Sequence, residues 1–223
     1  MCFISTALAN TDIPTENKTP LFVDVKTAIS TVHYDIRYAS KNNFVGDVVD
    51  GYFAEKCYVN YQLIDSLKRI NTALLNDDYR LTFFDCYRPE KAVAHFMRWA
   101  KDLNDTQTKA QYYPNVAKSH LAGPYIAEKS GHSKGFTVDI TLQKKDKFGN
   151  WHDLDMGSSY DLFDTLSHSN NKKISVQQRS NRYLLQQTMK AYGYTPYAME
   201  WWHFTYTVTP KVQRNESYNF DVK

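Results

Sequence analysis

The chain has 223 residues, enough for one good-sized domain, and its 42% hydrophobic and 23% charged content is that of a globular protein. A net charge of +3 with no Lys/Arg stripe gives nucleic acid no footprint, and no apolar run approaches the length of a membrane span. The three cysteines, Cys2, Cys57 and Cys86, make no CxxC pair and no disulfide framework, so each reads as a small core hydrophobe.

The opening MCFISTALAN carries a short apolar stretch ending in Ala-Leu-Ala, like the end of a signal peptide, although no positive charge precedes it. Export to the periplasm is the expectation, with the cytoplasm as the alternative. Residues 1–20 read as a flexible segment leading into a single domain over 21–223. From Tyr58 to Asn76, Leu63, Ile64, Leu67, Ile70 and Leu74 recur at helical spacing and predict an amphipathic helix. Arg80 to Cys86 is short and rich in strand formers. Pro89 then opens a helix whose apolar face is Ala92, Val93, Phe96, Met97 and Ala100, so Tyr87 and Arg88 fall in a tight turn between strand and helix.

Residues 104 to 131 read as a long polar loop that delivers His132. Phe136 to Leu142 alternates, with Asp139 between Thr137 and Thr141 on the polar side of a half-buried strand. A hairpin turn follows at Lys147 to Asn150. Leu184, Leu185, Thr188, Met189 and Tyr192 mark another helix, which Gly193 closes. Trp201 to Val208 alternates again and places His203 among threonines. Side by side, the two strands would bring Asp139 and His203 together across a polar wall. No helix face stands out as an interface, and the oligomeric state stays open.

Catalytic zinc takes three protein ligands and leaves one position for water, and a nearby carboxylate moves the proton. His132, Asp139 and His203 supply the ligand types, and Glu200 of EWWHF supplies the base. Each segment alone has a plainer reading: His132 as a loop histidine, Asp139 as a turn residue, EWWHF as an aromatic core strand. Jointly each supplies what the other lacks. In a regular strand positions 200 and 203 point to opposite faces, so Glu200 must precede the strand or a bulge must intervene. His33, His95, His120, His152 and His168 lie outside both segments and read as non-ligands. His168 reads as a structural hydrogen-bonding residue.

SGHSKGFTVDITL fits the SxHxxGxxxD pattern of zinc peptidases that cut D-alanyl bonds, and EWWHF resembles their second signature. DIRYASKNNFVG, DGY, DCYRPEKAV, YYPN, DMGSSYDLFDTLSH and the terminal YNFDVK resemble, in order, D-alanyl-D-alanine dipeptidases of the VanX type. The resemblance covers nearly everything from about residue 30 onward. It implies an α+β fold, with a small, mainly antiparallel sheet, helices packed on one side and the zinc cleft on the other. It implies one Zn2+ per chain on His132, Asp139 and His203, Glu200 as general acid/base and Arg88 as the transition-state residue. Ser130, Asp161, Tyr38 and Asp85 match positions at or near the substrate pocket, with Asp161 placed to meet the ammonium of a dipeptide. From its neighbours alone, Asp161 reads instead as a helix N-cap before Leu162 and Phe163.

The implied activity is hydrolysis of D-Ala-D-Ala to two D-alanines. The alternatives are a peptidoglycan carboxypeptidase or endopeptidase with the same chemistry, and a non-catalytic zinc-binding module. Glu200 and Arg88 argue against the last, since a structural zinc site needs neither. Gly131 departs from the family pattern, where a second serine is common.

Overall fold

The computed structural model describes residues 21–208, 210 and 215–223. The signal-like opening and flexible segment expected over residues 1–20 lie outside the described residues. The chain runs β1 (Phe22–Asp24), α1 (Val25–Ala28), β2 (His33–Tyr34), β3 (Tyr58–Asn60), α2 (Ile64–Leu75), β4 (Tyr79–Asp85), α3 (Glu90–Lys101) and α4 (Lys109–Tyr112). It continues through β5 (Thr137–Lys145), β6 (Trp151–Asp153), α5 (Val176–Ala191), β7 (Tyr194–Pro196) and β8 (His203–Tyr206).

The main sheet has the order β2-β4-β5-β8-β7, with β6 paired to the far end of β5. Every pairing in it is antiparallel except β2 with β4. β1 and β3 form a separate antiparallel pair. Alternation along β5 sends Val138, Ile140 and Leu142 to one face and Thr137, Asp139 and Thr141 to the other. The strand is buried on both faces rather than half-buried, because residues after β6 roof the polar side and Tyr160 stacks on Phe84 at 4.5 Å. α2 packs against β4 and α5 against β7. α3 stands beside the cleft, where Val93 and Phe96 form part of its wall.

Three local features close the elements. Ser175 caps α5 with a reciprocal Gln178 contact, and Gly193 at φ +92° follows its last turn. The β5–β6 hairpin turns through Lys147, Phe148 and Gly149, with Asp146 accepting from the amides of Phe148 and Asn150.

Two further expectations are corrected. The helix predicted from Tyr58 starts only at Ile64, since Tyr58–Asn60 pairs with β1 and the Asn60 side chain caps a 3-10 turn over Tyr61–Leu63. Cys57 and Cys86 are not separate hydrophobes but a buried disulfide. Their separation of 29 residues hides the pairing in the sequence. Tertiary structure creates it: the amide of Tyr87 donates to the carbonyl of Tyr58 at 2.8 Å, which sets the start of β3 beside the end of β4.

Candidate metal centre

His132 opens a 3-10 turn, His132–Lys134, that ends at Gly135 in the left-handed region at φ +75°. A Cβ at Gly135 would overlap the Phe22 ring, so the tight return into β5 depends on glycine. Asp139 is the third residue of β5, and His203, the first of β8, is its register partner. Three donor atoms therefore converge. Asp139 Oδ1 lies 3.2 Å from His132 Nε2 and 3.1 Å from His203 Nδ1, and the two imidazole nitrogens are 3.3 Å apart. Among the described residues this is the one group of three His, Cys, Asp or Glu side chains with ligand atoms so close together.

The donors fit a divalent cation. Asp139 Oδ1 is buried and has no hydrogen-bond partner among the described residues although it faces both imidazoles. His132 Nδ1 is tied to the Cys86 carbonyl at 2.7 Å, which fixes the ring and turns Nε2 toward the cluster. Burial alone would raise the Asp139 carboxyl, but the His132 and His203 imidazoles hold it far below the usual range. Two imidazoles and a carboxylate are a donor set that zinc takes.

Glu200 precedes β8, in the turn that spans Tyr197 to Trp202, which answers the facing problem posed by a continuous strand. Its Oε2 is 3.4 Å from His203 Nδ1. Burial pushes its carboxyl up to about 7, only partly opposed by His203. Arg88 follows β4. Its Nε donates to Asp85 Oδ2 at 2.9 Å, and its Nη2 lies 3.6 Å from Asp139 Oδ2. The rings of Tyr38 and Phe96 flank the guanidinium at 5.2 and 5.1 Å.

A cleft of about 210 Å³ opens over these groups, below the range of about 300–1,000 Å³ for drug-sized ligands. Its walls include Tyr38, Arg88, Ser130, Asp161 and Glu200 together with the three converging residues. Asp85 is not in that wall. An extra residue in β4 between Phe83 and Asp85 sets Asp85 opposite Asp139, and there it holds Arg88 from behind while accepting from Tyr52 at 2.6 Å. It supports a cleft residue rather than contacting the cleft. Asp161 is not a helix cap: it sits at φ +60° and accepts from the Tyr38 hydroxyl at 2.9 Å, while Asp164 caps the next turn. Burial and the neighbouring Asp139 carboxylate push the Asp161 carboxyl well up.

Tyr160 carried no signal in the sequence beyond its place next to Asp161. Its hydroxyl donates to Asp139 Oδ2 at 3.0 Å and lies 3.1 Å from the Tyr38 hydroxyl. His168 serves as a structural hydrogen-bonding residue through its backbone: its carbonyl accepts from Arg182, while its ring Nε2 is buried without a partner among the described residues. A Cβ on Gly131 would come 3.0 Å from Thr137 Oγ1, so a serine there would require Thr137 to give way.

A His-Asp-His cluster, with His132 and Asp139 buried and His203 partly so, stands beside a carboxylate and an arginine at one small cleft and defines the class: a metallopeptidase-type centre on an α+β scaffold. The family model described as D-ala-D-ala dipeptidase, Peptidase_M15, matches residues 18–222, and the chain belongs to that family. It is 34% identical over 203 residues to a D-alanyl-D-alanine dipeptidase of Enterococcus faecium, covering 91% of this chain and 98% of that one. It is 35% identical over 190 residues to one of Streptomyces coelicolor, covering 85% and 93%. Among solved structures, a vancomycin-resistance D,D-pentapeptidase, VanY, in complex with Zn(II) is similar at 15% identity and a TM-score of 0.39, covering 69% of this chain and 75% of that one.

Proposed function

We propose that this chain is a zinc dipeptidase that hydrolyses D-alanyl-D-alanine to two D-alanines. The observation that carries the reading is the convergence of His132, Asp139 and His203 beside Glu200, in a cleft whose wall also includes the Asp161 carboxyl and the Arg88 guanidinium. His132, Asp139 and His203 would hold the zinc, which when bound would supply Lewis acidity for acidifying water and polarising a carbonyl. Glu200 takes the proton from the attacking water and returns it to the leaving amine. Its elevated carboxyl suits both halves of that transfer. Arg88 supports the oxyanion with a permanent cation held in place by Asp85.

Asp161 meets the ammonium of the free dipeptide. Its carboxyl is costly to ionise without a cation beside it, so a charged amino terminus is favoured and an acylated one leaves it unpaired. The buried Cys57–Cys86 disulfide supports an oxidising compartment as the site of action.

The test is incubation of zinc-loaded protein with D-Ala-D-Ala, L-Ala-L-Ala, N-acetyl-D-Ala-D-Ala and a D,D-terminated stem pentapeptide, with free alanine measured. Release from the free D,D-dipeptide well above the other three is the expected result. Faster cleavage of the stem peptide would move the assignment to a carboxypeptidase. No release from any substrate with zinc fully loaded would make the chain a binding module.

A further inference from the structure

Between β6 and α5 the chain runs for some twenty residues with no regular element except a 3-10 turn at Thr165–Ser167. This segment carries Tyr160, which holds Asp139, and Asp161, which lies in the cleft wall. A segment of that length needs something to hold its shape.

Arg182 of α5 fills that role by its contacts. It is 1% exposed, and no carboxylate among the described residues lies within ion-pair distance of it. Its donors go to neutral acceptors. Nε donates to the Met156 carbonyl at 2.6 Å, Nη1 to the His168 carbonyl at 2.8 Å and Nη2 to the Leu166 carbonyl at 2.9 Å. Nη2 also reaches Ser158 Oγ at 3.4 Å. Burying a cation against neutral groups is costly, so the fork of donors must return something in fixed geometry.

The acceptors lie at both ends of the stretch that holds Tyr160 and Asp161, and so close it into a loop. Ser158 Oγ in turn accepts from Trp201 Nε1 at 2.9 Å. The Trp201 amide donates to the Ser167 carbonyl at 3.0 Å, and the Ser169 amide donates to the Ala198 carbonyl at 2.9 Å. Ser169 Oγ donates to the Tyr197 carbonyl at 2.7 Å. The loop clasped by Arg182 is therefore bonded along the turn that presents Glu200.

We infer that Arg182 is a positioning residue for the substrate-binding loop: its guanidinium fixes Asp161 and Tyr160 relative to the turn that carries Glu200, without touching the cleft. This rests on the reading of Asp161 as the ammonium contact. An arginine more than twenty residues from Asp161 in the chain thus sets the preference for a free amino terminus.

The experiment compares wild type, Arg182→Gln and Arg182→Lys, all zinc-loaded, for kcat and KM on D-Ala-D-Ala and N-acetyl-D-Ala-D-Ala. Zinc stoichiometry and amide hydrogen exchange over residues 156–168 are measured alongside. Arg182→Gln is expected to keep its zinc, to lose exchange protection in that segment and to raise KM for the free dipeptide about 10- to 100-fold. The preference over the acetylated substrate falls with it. Arg182→Lys is expected to be intermediate, since an ammonium keeps the charge but cannot span three carbonyls. If Arg182→Gln does not fold, Arg182→Lys carries the test alone. KM and exchange protection within twofold of wild type in the folded variants would overturn the inference. So would a fall in active enzyme at unchanged KM, the mark of a merely structural residue. If wild type itself fails to prefer the free dipeptide, the Asp161 reading is wrong; unchanged loop exchange in the variants is then what overturns the positioning role.

Discussion

Glu200 Oε2 lies 3.4 Å from His203 Nδ1, although the two residues are three apart where the chain enters β8. A regular strand would have sent them to opposite faces. The turn from Tyr197 to Trp202 delays the strand until His203, and so lets the carboxylate and the imidazole share one side.

Replacing Glu200 with alanine removes the proposed proton carrier and none of the three converging side chains. Turnover is expected to fall about 10²- to 10⁴-fold while zinc stays bound one per chain. Metal analysis beside steady-state kinetics checks this, and retained turnover would remove Glu200 from its role.

Tyr160→Phe deletes the hydroxyl that holds Asp139 Oδ2 and leaves the ring stacked on Phe84. Zinc affinity is expected to drop about 10- to 100-fold, as for other groups that orient a ligand. Competition with a chromophoric chelator measures it, with His203→Ala as the reference for outright loss of a ligand.

Reduction of Cys57–Cys86, or its replacement by a pair of serines, frees the backbone on which the His132 ring leans. Closing a loop of this size stabilises the native state by about 3–4 kcal/mol. Thermal unfolding with and without reductant in partly unfolding conditions should show that loss, and zinc titration should show weaker binding. A midpoint insensitive to reductant, with thiols confirmed as free, would contradict it.

The β5–β6 hairpin gives a pH signature away from the cleft. His152 above all, with the Asn150 amide, lowers the Asp146 carboxyl from its ordinary 3.8 to about 2. A depressed carboxyl stabilises the native state fully above its ordinary value and loses that contribution as pH falls through about 2. Carboxyl titration by NMR should find Asp146 low in wild type and nearer ordinary in His152→Ala.

Much of the site could be read in one dimension because its parts sit on periodic or punctuated stretches. Asp139 and His203 each interrupt a run of alternating strand formers, and Pro89 marks the helix start that leaves Arg88 in a turn. Two groups that support them were not readable, since Tyr160 and Arg182 lie in or contact an aperiodic loop. The resemblance put Asp85 near the pocket, but its hold on Arg88 depends on a bulge that the sequence does not mark.

By itself the sequence determined which imidazoles and carboxylates are available, the strands that carry Asp139 and His203 and the family to which the chain belongs. Those are properties of residue type, short-range order and motif, which survive in a string of letters. Only the tertiary structure decided that Cys57 joins Cys86, that Asp85 stands behind Arg88 and that Asp161 faces the cleft instead of capping a helix. The physical reason is that such contacts join residues distant in the chain. Their energies depend on burial and angle, and neither exists until the sheet and its covering loop have packed.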